Sequence, residues 1–129
     1  MNDDIPKIPS SEWEIMESIW KQPGLTGTEI HQRIGDIHGW QLNTINTFLS
    51  RLVKRGFLKS ERDGRAFRFW PVVERKACVT QESDNFMKRI FRGQWSPLLN
   101  YFTENADLSD QELDELESIL KQKKKGRTQ

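Results

Sequence analysis

The stretch Trp40–Gly56, WQLNTINTFLSRLVKRG, leaves this chain few ways to fold. Ile45, Phe48, Leu49, Leu52 and Val53 recur at helical spacing and form one apolar stripe. At about 100° per residue, the opposite face collects Trp40, Asn43, Thr44, Thr47, Ser50, Arg51 and Lys54. A solvated helix face is ordinarily stocked with Glu/Lys pairs, yet this one holds no acid. Its hydroxyls, amides and guanidinium are groups that hydrogen-bond to base edges and phosphates in a major groove. Taken alone, the same face also fits plain solvation. Its neighbours decide.

Upstream, Ser11 and Glu14 have the spacing of a capping box, which predicts a first helix starting near Ser10 or Ser11. Trp13, Ile15, Met16, Ile19 and Trp20 supply its apolar face, and Pro23-Gly24 ends it. Thr26 and Glu29 repeat the capping box, with Leu25 and Ile30 placed as a hydrophobic staple. This second helix is short and stops near Gly35. A connection over Asp36–Trp40 then leads into the acid-free helix, so the pair has helix-turn-helix organisation. Gly56 stands where a left-handed cap would close it.

Downstream, Phe57 and Leu58 begin an extended run, Asp63-Gly64 signals a tight hairpin turn, and Phe67 and Phe69 alternate with Arg68 and Trp70 up to Pro71. A helix-turn-helix followed at once by a β-hairpin is a winged helix. The tip, Arg62-Asp63-Gly64-Arg65, puts two cations where a wing grazes the phosphate backbone.

The net charge of +1 conceals segregation. Seven basic residues between Arg51 and Arg68 face only Glu61 and Asp63, a local +5 that suits a polyanion. Thr103–Glu117 carries seven acids and no base, and Lys121–Arg127 returns five cations, read as a solvated tail. One cysteine, Cys78, excludes an internal disulfide and fits a reducing cytosol. The polar start MNDDIPKIPSS does not resemble a signal peptide, and residues 1–9, with Pro6 and Pro9, read as a flexible arm. No run of about 18 apolar residues occurs, so membrane insertion is not expected and the cytoplasm is the expected location. Cys78, His31 and His38 lie in separate segments without metal-ligand spacing, and no phosphate loop or nucleophile elbow appears. Neither a metal, a cofactor nor an enzymatic activity is expected.

The C-terminal half reads as three helices. Ala77, Phe86, Met87, Ile90 and Phe91 mark a long one to about Arg92, broken at Gly93. Trp95, Leu98, Leu99, Tyr101 and Phe102 mark a second, starting near Ser96-Pro97. Ser109 and Glu112 give the third its capping box, with Leu113, Leu116, Ile119 and Leu120 following. So much apolar surface in so short a segment exceeds what it can bury alone, and a subunit interface would cover the excess. The candidate interface residues are Phe86, Ile90, Phe91, Leu98, Leu99, Phe102, Leu113, Leu116 and Leu120; packing of all of them onto the winged helix is the alternative. The expected fold is mainly α with a small β-hairpin wing. Residues 1–72 are expected to form a winged-helix DNA-binding domain, and residues 73–129 a three-helix dimerisation domain.

Four strings, SEWEIMESIW at 11–20, WQLNTINTFLSRLVKRG at 40–56, DGRAFRFWP at 63–71 and LSDQELDEL at 108–116, resemble the penicillinase-repressor family of BlaI, MecI and CopY relatives. The resemblance implies a winged helix followed by a helical domain that entwines two subunits. It also implies a homodimer that binds palindromic operator DNA and blocks transcription. By position it assigns recognition contacts to Thr44, Thr47 and Arg51, with Asn43 where relatives often carry Lys, and wing contacts to Arg62 and Arg65. Lys54, Arg55 and Arg68 join these as candidate phosphate contacts, and Arg51 is the candidate for a guanine. The chain departs from its relatives in three places. Gln41-Leu42 replaces Ser-Pro at the start of the recognition helix, which leaves Asn43 as an alternative N-cap. Tyr101–Phe102 stands where some members have the Asn–Phe bond cut by a membrane sensor protease, with Asn100 displaced by one, so induction by that route is not expected. The tail KQKKKGRTQ lacks the cysteines of copper-sensing ones. A winged helix that docks protein, and a DNA-binding activator, are the competing functions.

Overall fold

The computed structural model describes residues 7–127, so most of the N-terminal arm lies outside the described residues. Helix α1 spans Ser10–Lys21. The capping box expected at Ser11 and Glu14 does not form: Pro9 is the N-cap, in extended geometry, and no side chain caps the helix. Proline's fixed φ leads the chain straight into the first turn, which puts Ser11 and Glu14 inside the helix. Ile15, Met16 and Ile19 are fully buried, and Trp20 Nε1 donates to the Val73 carbonyl at 2.9 Å.

The second capping box is present. Glu29 N donates to Thr26 Oγ1 at 3.1 Å, and Thr26 N donates to Glu29 Oε1 at 2.9 Å. That bond from the Thr26 backbone is the main reason the Glu29 carboxyl sits below its usual range. Leu25–Thr26 is also a short strand, β1, which no alternation pattern could announce. Helix α2, Gly27–Ile30, does not stop at Gly35 as expected. It passes through a π-helical turn, His31–Gly35, into α3, Asp36–His38, and closes at Gly39 with φ +69°. Gly35 permits this because a Cβ there would lie 2.5 Å from the His31 ring.

Helix α4 spans Leu42–Lys54. Ile45, Leu49 and Leu52 are fully buried, each worth about 1.5–3 kcal/mol of transfer free energy, while Phe48 and Val53 pack half-buried against the core. Its C-terminus is a Schellman motif, in which Phe57 N donates to Leu52 O at 2.9 Å and Gly56 N to Val53 O at 3.1 Å. Gly56 has φ +87° and open space around its Cα, so only backbone conformation restricts this position. Gly56→Ala is expected to cost about 1–2 kcal/mol, with Gly56→Asn closer to wild type. Unchanged urea midpoints in both would show that the left-handed cap contributes nothing.

Strands β2, Leu58–Asp63, and β3, Ala66–Pro71, form the wing, and β1 pairs with the other edge of β3 in the order β1-β3-β2. The last pair is Asp63↔Ala66, so the two loop residues are Gly64 and Arg65, one later than the expected Asp63-Gly64. Gly64, at φ +66°, occupies the first loop position, as a type II′ turn requires.

Helix α5 spans Arg75–Phe91, α6 Trp95–Asn105 and α7 Asp110–Arg127. The capping box at Ser109 and Glu112 is reciprocal, at 3.1 and 2.9 Å. The segment Lys121–Arg127, expected as a tail, is the last part of α7. No helix among the described residues is long and apolar enough to cross a membrane. The chain divides into two compact units, the first ending at Ser83 and the second beginning at Asp84. The break falls inside α5, and the start of α5 belongs to the first unit. Cys78 is buried in that unit's core, and Arg75 Nε and Nη2 donate to Glu17 at 2.8 and 3.0 Å. The Arg75 bonds are also the largest influence holding the Glu17 carboxyl below its usual range.

Candidate nucleic-acid interface

The exposed face of α4 consists of Asn43, Asn46, Thr47, Ser50, Arg51 and Lys54, with Leu42 at its start and Arg55 as the C-cap just beyond its end. Gln41 is the N-cap and makes no side-chain bond, so Asn43 lies within the first turn instead of capping it. The face differs from its sequence outline at three residues. Trp40 turns inward, stacked on His38 at 4.3 Å and edge-on to Phe48 at 5.2 Å, which fixes the entry of the helix. Thr44 is half-buried. Asn46, absent from the outline, is exposed one turn after Asn43, although it follows directly on the buried Ile45.

Thr47 Oγ1 donates to the Asn43 carbonyl at 3.0 Å. With the hydroxyl proton engaged by the helix backbone, Thr47 is left with its methyl group and an acceptor oxygen. A groove of about 310 Å³ runs beside the helix, lined by Asn46, Ser50, Thr28, Arg65 and Phe67 among others. Gly27 allows the close approach of α2, since a Cβ there would lie 2.5 Å from Asn46 Oδ1.

The wing cations fall into two kinds. Arg62 lies over the Phe67 ring at 5.6 Å and donates from Nε to the Gly64 carbonyl, while Arg65 is exposed in the loop. Arg68 is directed into the protein. Its Nε donates to Asp63 Oδ2 at 2.7 Å, its Nη1 donates to the Gly24 carbonyl at 2.8 Å, and Glu29 lies 3.5 Å away. The Asp63 bond is the leading cause of its raised pKa. Arg68 thus clips the wing to the β1 edge, and its position among the wing cations in the sequence gave no hint of that duty.

Behind the C-terminal half of α4 sits Glu12, only 2% exposed. Arg55 Nη1 is 3.6 Å from its Oε1, and Arg51 Nη1 is 3.8 Å from its Oε2. Both arginines remain largely exposed on their outer sides.

Residues 8–122 match the profile of the family described as Penicillinase repressor. The chain belongs to the penicillinase-repressor family. The methicillin resistance regulatory protein MecI of Mammaliicoccus sciuri is 32% identical over 123 residues, which cover 95% of this chain and 100% of that protein. The penicillinase repressor of Bacillus licheniformis is 32% identical over 120 residues, 93% of this chain and 94% of the relative. Among solved structures, the Bacillus licheniformis BlaI monomeric form in complex with the blaP half-operator superimposes with a TM-score of 0.50 at 33% identity, covering 57% of this chain and 89% of that one. This member of the penicillinase-repressor family therefore has the winged-helix fold of its relatives.

In the second unit, Phe86, Ile90, Leu99, Phe102, Leu113, Leu116 and Leu120 are all exposed, and Phe91 and Leu98 are half-buried. Trp95, Tyr101 and Ile119 add to this apolar surface. Tyr101 and Phe102, the pair at the expected cleavage position, lie inside α6 with their rings edge-on at 6.2 Å.

Proposed function

We propose that this chain is a sequence-specific DNA-binding transcriptional repressor that acts as a cytoplasmic homodimer on a palindromic operator. The observation that carries the proposal is the exposed, acid-free face of α4 beside a cationic wing loop in one compact unit. An α-helix fits a B-DNA major groove about 12 Å wide. Asn43, Asn46, Thr47, Ser50 and Arg51 are then the base-edge candidates, and Lys54, Arg55, Arg62 and Arg65 the phosphate contacts. Arg68 is set apart from this contact set, because its Nε and Nη1 donate to groups within the protein. The operator-bound BlaI relative supports duplex DNA as the ligand.

Apolar side chains left exposed along α5, α6 and α7 are what a second copy would cover. Two-fold symmetry then requires an inverted repeat, with half-sites separated by about 10 base pairs or a multiple. A mobility-shift titration on the DNA upstream of the protein's own gene, run against random duplex at several salt concentrations, tests this. Preferential binding that weakens about 10³–10⁵-fold between 50 and 200 mM salt is expected. Equal, salt-insensitive binding to both duplexes would overturn it. In the same assay Lys54→Ala should weaken both duplexes alike and reduce the log–log salt slope by about 1 per protomer. An unchanged slope removes Lys54 from the phosphate contacts.

A further inference from the structure

Glu12 is the third residue of α1, the place from which a capping-box glutamate reaches back to the N-cap N–H. Here the N-cap is Pro9, which has no N–H to offer. The carboxylate is thereby released from local capping and is buried against α4. Its Oε1 is buried and has no hydrogen-bond partner. Buried carboxylates seldom go without donors, because desolvation is expensive. The charge is compensated by the positive end of α1 and by the two guanidiniums of Arg51 and Arg55, at 3.8 and 3.6 Å.

Both arginines face Glu12 with Nη1. Arg51 and Arg55 are one helical turn apart, so one carboxylate reaches both. For each, the edge bearing Nε and Nη2 is left for an outside ligand, and that edge forms the two parallel bonds to guanine or phosphate. Without a fixed inner partner, a long arginine side chain loses rotamer freedom on binding, and this weakens the contact.

Resting on the DNA-binding role proposed above, we infer that Glu12 is a positioning residue for base reading: it anchors Arg51 and Arg55 from inside the protein so that their outer edges meet the DNA preorganised. The loss of this anchor has an unusual signature. Glu12→Gln removes a negative charge near the phosphates, so affinity for random duplex should hold or rise. Discrimination should nevertheless fall.

The test compares wild type and Glu12→Gln on operator and random duplex, with the thermal midpoint of each protein recorded. The expected result is an operator-to-random affinity ratio about tenfold lower, with random-duplex affinity equal or higher. A ratio equal to wild type, or a parallel fall on both duplexes, would overturn the inference. If Glu12→Gln does not fold, Glu12→Asp withdraws the carboxylate by one methylene while keeping its charge, and the same ratio decides. A DNA-free measurement on wild type separates this inference from the function it rests on. The Nε–Hε order parameters of Arg51 and Arg55 should exceed those of exposed Arg65. If they equal Arg65, Glu12 anchors nothing. If they are high but wild type shows no operator preference, the DNA-binding proposal fails, and Glu12 is left without a role in reading.

Discussion

Charging the apolar stripe of α7 with Leu113→Asp and Leu116→Asp together is expected to lower affinity for a full inverted-repeat operator about 10²–10⁴-fold, while affinity for a single half-site stays as it was. Both leucines are at least 40% exposed in the single chain, so little core is lost by changing them. In a dimer they would be covered, and two carboxylates per protomer would have to be desolvated. The effect on DNA is indirect. A linked second half-site is occupied at millimolar effective concentration, and a monomer loses that advantage without losing any contact in α4 or the wing. Sedimentation equilibrium checks the cause, since the mass should fall from two chains to one. A variant that keeps both its mass and its operator affinity would place the subunit interface elsewhere.

Arg51→Ala carries the second large effect. It is expected to cost about 1–3 kcal/mol of discrimination at one base pair per half-site, if Arg51 is the residue that forks onto guanine. A stability cost of about 1–3 kcal/mol should accompany it, because Glu12 keeps only Arg55 as a guanidinium partner. Competition with operators substituted one base pair at a time separates the two effects. Any loss through unfolding lowers affinity for every duplex alike, whereas the reading loss is confined to one position. Uniform weakening across the substituted series would make Arg51 a phosphate contact or a purely structural cation.

Much of the helical framework was legible in the residues. The Ile45–Val53 stripe, the capping boxes at Thr26 and Ser109, the Gly56 cap and the wing all follow from local rules, in which a few neighbouring residues determine the outcome. What escaped has non-local causes. The β1 strand is two residues long and exists only because β3 offers it an edge. Ser11 and Glu14 satisfied a capping pattern, but proline geometry at Pro9 had already set the helix start. The π-turn depends on a missing Cβ at Gly35 and a ring from His31, which periodicity does not register. Arg68 read as a wing cation because its partners, Gly24 and Glu29, come from another element. Glu12 was hidden for the same reason: a carboxylate inside an amphipathic helix looks solvated until its arginine partners, some forty residues later, fold over it.

One surface is expected to meet DNA, and amide and side-chain chemical-shift mapping on isotope-labelled protein, titrated with operator duplex, tests that most directly. The predicted result is a set of shifts concentrated on Asn43, Asn46, Thr47, Ser50, Arg51 and Lys54 and on the wing loop at Arg62–Arg65, with Arg68 little changed. Shifts confined to α6 and α7, or none at all under conditions where the mobility shift is complete, would contradict it.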